Sequence, residues 1–262
     1  EMSASLVGSE MCIRDSKYIM RVVNLFRRNW WAILYFNFKM LPFRQAVKFP
    51  FDFYGAIRFQ SLRGKVELNG QVRRGQFQFG RFQYEIFHKE PTVITIDGLW
   101  KFNGSVMCMG IGSQIEIHEK AIFEMGEDIV FGARARIFIR KNVVLQNHIR
   151  FSWEVQLFDS NFHFMRNIET GMIPYINKSV FIDDHCWIGN RTTINKGTRI
   201  PAYSILAGGS MTNKNYAKDG KTHLTLAGCP AKIVAEGYER IFETEEEELC
   251  NQLNEREYKE NI

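Results

Sequence analysis

The sequence lacks a strong excess of one charge, a membrane-length apolar run and paired cysteines. Its 262 residues carry 34 Lys and Arg against 29 Asp and Glu. The resulting net charge of +5 is too small and too evenly spread to indicate nucleic-acid binding. The hydrophobic content of 45% and charged content of 24% argue against disorder and against a polytopic membrane protein. Composition therefore predicts a globular chain with a sizeable core.

Metal-binding and redox motifs are also missing. The five cysteines are widely spaced, odd in number and form no CxxC pair, which predicts free thiols in a reducing, cytoplasmic compartment. The six histidines are at least fifteen residues apart, so their spacing gives no support to a zinc site. They are His88, His118, His148, His163, His185 and His223. We therefore expect no metal requirement.

The two ends of the chain differ from its middle. Residues 1–16 are small, polar and aperiodic, and we interpret them as a leader outside the fold. Residues 17–49 contain seven basic and no acidic residues among many aromatics, and predict one or two helices ending near Pro42. Two interpretations stay open for the segment 17–59: a helical cap on the next domain, or peripheral contact with an anionic membrane. Residues 236–262 predict a C-terminal helix.

A six-residue period dominates the middle of the chain. Six aliphatics recur at this spacing, and a small or β-branched residue stands four positions after each. The aliphatics are Ile176, Ile182, Ile188, Ile194, Ile200 and Leu206, and the offset residues are Val180, Cys186, Thr192, Thr198, Ser204 and Ser210. A second run has Ile139, Leu145, Phe151 and Leu157, and looser copies extend back to Val66.

A chain that turns a corner every six residues explains this period, since neither the helical nor the strand repeat does. Three such faces form a triangular coil in which the aliphatics point inward and stack about 4.8 Å apart. We therefore predict an all-β solenoid over residues 60–235. The alternative, a sandwich of antiparallel hairpins, needs two-residue turn signals that are absent from 176–210.

The register breaks between Leu157 and Ile176, where nineteen residues replace the eighteen that would keep the phase. The segment 158–175 is polar and lacks repeat aliphatics at the right places. It is predicted to leave the coil as a loop, and inserted loops of solenoids commonly line a binding face.

Several motifs resemble hexapeptide-repeat acyltransferases of the left-handed β-helix type, particularly polysaccharide O-acetyltransferases and the maltose and galactoside acetyltransferases. These motifs are Phe151-Ser152-Trp153, the stretch Leu157 to His163, Cys186-Trp187-Ile188-Gly189-Asn190, Ala207-Gly208-Gly209-Ser210 and Ala227-Gly228-Cys229-Pro230-Ala231-Lys232. The resemblance implies a left-handed parallel β-helix with helical ends, assembled as a homotrimer.

The resemblance also assigns an acceptor site. His163 matches the general base that takes the proton of an attacking sugar hydroxyl, a role suited to a side chain with a pKa near neutrality. Asp159 is expected to orient the imidazole or to hold an acceptor hydroxyl. Trp153, Asn161 and Trp187 are expected to contact the acceptor, although packing of the two tryptophans against the loop is an equal alternative.

Acetyl-CoA is the implied co-substrate. Asn190 matches the position near the thioester, and Gly208, Gly209 and Ser210 match the groove for the coenzyme A arm. The nucleotide end is expected near Lys214, Pro230 and Lys232. The chain departs from the family pattern at two positions: Gly208 stands where Ala is frequent, and Asn213 where Thr is frequent.

These observations predict an acetyl-CoA-dependent O-acetyltransferase acting on a sugar hydroxyl, in a surface polysaccharide or its precursor. Two alternatives stay open, an N-acetyltransferase acting on an amino sugar and a non-catalytic hexapeptide-repeat scaffold.

Overall fold

The computed structural model describes residues 28–81 and 90–260, with side chains up to residue 253. The predicted leader at 1–16, and residues 17–27 of the basic aromatic segment, lie outside the described residues. Within them the chain winds into a three-sided solenoid whose sheets are parallel, apart from one terminal hairpin. None of the described helices is long and apolar enough to span a membrane.

Each coil contributes one strand to each of three faces in turn. Face 1 contains β1 (Phe51–Phe53), β4 (Phe77–Arg81), β7 (Met107–Gly110), β10 (Ile129–Phe131), β13 (Arg150–Phe151), β16 (Trp187–Ile188), β19 (Ile205–Leu206), β21 (Leu224–Gly228) and β22 (Ala231–Glu236). Face 2 contains β2 (Ile57–Leu62), β5 (Thr92–Ile96), β8 (Gln114–Ile117), β11 (Arg136–Ile139), β14 (Gln156–Phe158), β17 (Thr193–Ile194) and β20 (Met211–Thr212). Face 3 contains β3 (Lys65–Leu68), β6 (Leu99–Phe102), β9 (Ile122–Met125), β12 (Asn142–Leu145), β15 (Val180–Ile182) and β18 (Arg199–Ile200).

We call the corner between faces 1 and 2 the first corner, that between faces 2 and 3 the second, and that between faces 3 and 1 the third. Residues one coil apart therefore lie side by side at the same corner, whatever their separation in sequence.

The aliphatic residues of the six-residue period form the inward-facing core. Ile182, Ile188, Ile194, Ile200 and Leu206 are fully buried, and parallel pairing places Ile188 beside Leu206 one coil on. All six small offset residues are buried as well. Each lies next to a corner, where the chain passes from one face to the next. This confirms the solenoid prediction. Ile176 is the exception, because it is only half-buried at the end of the inserted loop.

The solenoid starts earlier than the predicted boundary at residue 60. The first coil begins at β1 and β2, so Phe51 already pairs with Phe77 of the next coil. Its core is aromatic: the rings of Phe51, Phe77 and Phe102 lie 4.4 to 5.5 Å apart. The nine residues 51–59 thus belong to the β-helix and not to the cap.

Two helices close the N-terminal end of the solenoid, α1 (Trp30–Met40) and α2 (Phe43–Ala46), separated by Pro42. The Asn29 side chain caps α1 by accepting the Ala32 N–H at 3.0 Å. Phe36 packs on the first coil, with its ring 4.9 Å from that of Phe51. The buried Asn37 amide bonds to both the N–H and the C=O of Phe51, which fixes α1 on the open sheet edge.

The C-terminal end is closed by an antiparallel hairpin of β21 and β22, followed by α3 (Glu243–Glu260). The chain before α3 returns along face 1. Arg150 on β13 anchors it, since the guanidinium donates to Glu243 at 2.7 Å and to Asp128 at 2.8 Å. The hydrogen bond from Arg150 lowers the pKa of Glu243 to about 2.

Candidate functional site

The inserted loop leaves the solenoid at the second corner, between β14 and β15. An antiparallel bridge between Ser160 and Asn177 closes its base, and the Asn161 N–H donates to the Ile176 carbonyl at 3.0 Å. The loop is therefore 161–176, shifted by a few residues from the predicted 158–175. Stacking resumes directly behind it, because β15 pairs with β12 of the preceding coil.

Asp159 has a structural role at the base of this loop. Its carboxylate is fully buried and accepts the backbone N–H groups of Arg140, Lys141 and Asn142 at 2.7 to 2.8 Å. Burial raises the pKa of the Asp159 carboxyl, and these hydrogen bonds oppose the rise. Asp159 thus caps the turn of the previous coil, which replaces the predicted role of orienting His163 or binding an acceptor.

His163 is exposed and is positioned by a tight turn. The His163 N–H donates to the Asn161 carbonyl at 2.7 Å across Phe162, whose φ is +61°, as in a γ-turn. The Phe162 ring packs edge-on against Phe158, 5.8 Å away, and under the Arg140 guanidinium. These contacts hold Phe162 in a left-handed conformation that other non-glycine residues adopt at regular corners of the solenoid, and they leave the imidazole exposed.

The first corner carries a column of predicted site residues on successive coils. The Arg191 N–H donates to the Trp153 carbonyl at 3.1 Å, and the Gly209 N–H donates to the Asn190 carbonyl at 2.9 Å. These bonds place Trp153, Asn190 and Gly208 at equivalent positions. The following residue on each coil has a left-handed backbone, with φ of +60° at Glu154, +56° at Arg191 and +70° at Gly209.

Gly208 and Gly209 expose bare backbone at this corner. A Cβ on Gly209 would meet nothing within 4 Å, whereas a Cβ on Gly208 would lie 2.9 Å from Asn190 Oδ1. The Asn190 amide therefore lies where an alanine methyl at position 208 would be, and an alanine there would have to displace this side chain. An open strip of backbone beside a side-chain amide fits the pantetheine arm of an acyl-CoA, which is itself built of amides.

The other predicted donor residues divide between two corners. Ser210 is buried, and its hydroxyl accepts the Gly228 N–H at 3.1 Å, so that hydroxyl supports the corner and does not face a ligand. Pro230 and Lys232 are exposed at the terminal hairpin, beside the first-corner column. Lys214 lies at the second corner, where its ammonium sits 5.3 Å from the Tyr216 ring, and the structure separates it from Gly208.

The two predicted acceptor tryptophans line a groove on face 1. It has a volume of about 760 Å³ and is walled by Trp153 and Trp187 on one side and by the C-terminal segment on the other. Trp187 donates from Nε1 to Ser152 Oγ at 3.3 Å, and the Arg240 guanidinium lies 5.8 Å from its ring centre. Sequence reasoning missed the C-terminal wall, because nothing in a glutamate-rich tail shows where it docks.

A second feature missed from the sequence is a stack of rings at the third corner. His148, His185, Tyr203 and His223 follow one another on successive coils with centroids 4.7 to 4.8 Å apart. Burial lowers the pKa of His185, and neighbouring His148 adds to the effect. Histidines distant in sequence thus meet at this corner, where they contact one another through their rings. In the described ranges no group of three or more His, Cys, Asp or Glu side chains has a metal-binding arrangement.

Comparisons with known proteins agree with this architecture. No family model and no curated protein matches the sequence. Among solved structures, the polysialic acid O-acetyltransferase OatWY aligns with a TM-score of 0.50 and 17% identity over 71% of this chain and 92% of its own. The polysialic-acid-specific acetyltransferase NeuO aligns with a TM-score of 0.45, 16% identity and coverages of 74% and 79%. A galactoside acetyltransferase in complex with coenzyme A aligns with a TM-score of 0.36 and 12% identity over 83% of this chain and 82% of its own.

The OatWY similarity shows the fold alone, a left-handed parallel β-helix. The site residues in this fold form two groups. The first corner holds Trp153, Asn190, Gly208 and Gly209, while the second corner holds the loop with His163. Face 2 separates the two groups, and the roughly six residues that cross this face on each coil span about 20 Å.

Proposed function

We propose that the protein is an acetyl-CoA-dependent O-acetyltransferase that modifies a sugar hydroxyl. The observation that carries the proposal is the inserted loop 161–176, which presents His163 on a tight turn while the stacking behind it stays intact. The open backbone strip at Gly208 and Gly209 supports a donor site for an acyl-CoA.

The chemistry follows from these groups. His163 accepts the proton of the acceptor hydroxyl as its oxygen attacks the thioester carbonyl. The carbon–sulfur bond then breaks, the acetyl group stays on the acceptor oxygen, and the proton passes from the imidazolium to the leaving thiolate. The Asn190 side-chain N–H is suited to polarise the thioester carbonyl. No covalent enzyme intermediate is required.

The acceptor class rests on the groove at Trp153 and Trp187 and on the kind of substrate named for the structural neighbour. Aromatic side chains pack against the apolar faces of sugar rings, and the neighbouring Arg81 and Arg240 provide hydrogen-bond donors. OatWY is a polysialic acid O-acetyltransferase. A surface polysaccharide or its precursor is therefore the proposed acceptor.

The separation of the two corners favours a homotrimer. The width of face 2 lies between the His163 loop and the backbone strip of the same chain. In a ring of prisms, the second corner of one subunit lies beside the first corner of the next, and a heterologous contact repeated three times closes the ring. Each active site would then combine His163 and Lys214 of one chain with Asn190 and Gly208 of another.

Mixed trimers test the shared site. His163→Ala removes the base, and Gly209→Glu places an acidic side chain on the donor strip. A side chain at position 209 has open space but a strained backbone with φ of +70°, a conformation that Glu154 adopts two coils earlier, so thermal unfolding of the variant is measured beside its activity. Each variant alone should be inactive, whereas random one-to-one trimers should regain about a quarter of wild-type turnover, since that fraction of sites is intact.

Mixed trimers with no activity would place the whole site within one chain. A stable and fully active monomer in light scattering would reject the trimer itself. The function is tested separately by acetyl transfer to a panel of sugars and amino sugars. Alkali-labile esters indicate O-acetylation, alkali-stable amides indicate the N-acetyl alternative, and the absence of transfer indicates a scaffold.

A further inference from the structure

The helical cap has an aromatic outer surface that faces away from the solenoid. While Ile33 and Phe36 are buried on the first coil, the opposite side of α1 and the adjoining α2 expose large apolar side chains. This surface, here called the aromatic cap surface, consists of Trp30, Trp31, Leu34, Tyr35, Phe38, Phe43 and Val47. Trp31 is 84% exposed and Phe43 73%. Contiguous exposure of this kind marks a binding surface.

Positive charge surrounds the aromatic cap surface. Lys39, Arg44 and Lys48 are exposed at its edge, and residues 17–49 contain no Asp or Glu to neutralise them. Within residues 28–49, the part of this segment that the structure describes, the basic group that pairs with an acid is Arg28, which reaches Asp52 on the first coil at 2.7 Å. The surface therefore combines tryptophan and tyrosine rings with uncompensated cationic side chains.

We propose that the aromatic cap surface binds the headgroup region of an anionic lipid bilayer. Tryptophan and tyrosine settle at the boundary between headgroups and acyl chains, while lysine and arginine attract anionic lipid. The buried side of the cap thus closes the core of the solenoid, and the aromatic cap surface contacts the bilayer. A second copy of the chain fits less well, because an isologous contact would press two basic surfaces together without any acidic partner.

The position of the cap sets the orientation of the protein. α1 and α2 cover the end of the solenoid where β1 and β2 begin, and the coils stack away from that end. A bilayer against the cap therefore leaves faces 1 and 2, with the Trp153 and Trp187 groove, open beside the membrane. A membrane-bound acceptor could reach the groove from there.

Vesicle co-sedimentation of the full chain tests the proposal. We expect binding to mixed phosphatidylglycerol and phosphatidylcholine vesicles that weakens with added salt, and little binding to phosphatidylcholine alone. The variant with Lys39→Glu and Arg44→Glu should lose about tenfold or more in vesicle affinity, given the contribution of each basic residue near an anionic surface. Trp31→Ser with Phe43→Ser should reduce binding on the same vesicles.

Two matched variants control for charge and for hydrophobicity. Lys218→Glu with Lys221→Glu makes the same double charge reversal at the opposite end of the solenoid, and Tyr238→Ser removes an exposed ring elsewhere. Both variants should bind vesicles as the wild type does. Equal loss in these controls would overturn the proposal, as would salt-independent binding or no binding by the wild type. A concentration-dependent mass increase that Trp31→Ser abolishes would instead assign the surface to self-association.

Discussion

Replacing His163 with alanine should reduce turnover by roughly 100-fold to 10,000-fold while leaving the fold intact. The expected rate loss follows from removal of the proposed general base. The stability change should stay within about 0.5 kcal/mol, because the side chain is exposed on a loop that contributes nothing to the stacked core. Coenzyme A affinity should stay close to that of the wild type, since the proposed donor strip lies at Asn190, Gly208 and Gly209. Turnover, calorimetric donor affinity and thermal unfolding are measured on the same preparation.

His118→Ala is the matched control for this experiment. His118 is likewise exposed at the second corner, but on an earlier coil and outside the inserted loop. Its replacement should leave turnover and donor affinity unchanged. A folded His163→Ala protein that binds the donor and keeps near wild-type turnover would show that the base lies elsewhere.

Replacing Asp159 with alanine should lower the free energy of unfolding by about 2–4 kcal/mol. Three backbone N–H groups of the preceding coil lose their acceptor, and each unpaired donor at a partly buried site is costly. Asp159→Asn keeps one acceptor oxygen and should lie between the wild type and the alanine variant. The measurement is chemical denaturation of all three proteins.

Asp183→Asn separates this effect from the mere loss of a carboxylate. Asp183 makes an exposed ion pair with Arg199 at 3.2 Å, which typically contributes little, so this variant should match wild-type stability. Unchanged stability of Asp159→Ala, together with a changed pH profile of turnover, would restore the catalytic role predicted from the sequence.

The sequence predicted the solenoid best where the core is aliphatic. From Ile182 to Leu206 every sixth residue is a buried Ile or Leu, so the six-residue period is visible without an alignment. In the first coils the same positions hold Phe53, Phe79 and Phe102, and bulges shift the register of β2 and β4. The aliphatic period is therefore weak in the first coils, and the predicted start of the solenoid at residue 60 is too late.

The candidate site was predicted as a set of residues but not as an arrangement. Motif positions identify His163, Asn190 and Gly208, yet only the coil register shows that they lie at two different corners. Side-chain direction was equally hidden: Asp159 and Ser210 stand in family motifs, but both point into the structure and bond to backbone N–H groups. The C-terminal wall and the ring stack depend on tertiary contacts that have no local sequence signal.

Transfer of labelled acetyl groups tests the central proposal most directly. The protein is incubated with acetyl-CoA carrying an isotopic label in the acetyl group and with a panel of saccharides, and His163→Ala is run in parallel. We expect the wild type to release free coenzyme A and to place the label on a saccharide as an alkali-labile ester, with little label transferred by the variant. Label that stays on coenzyme A with every acceptor, or that appears only in an alkali-stable amide, would contradict O-acetyl transfer by this protein.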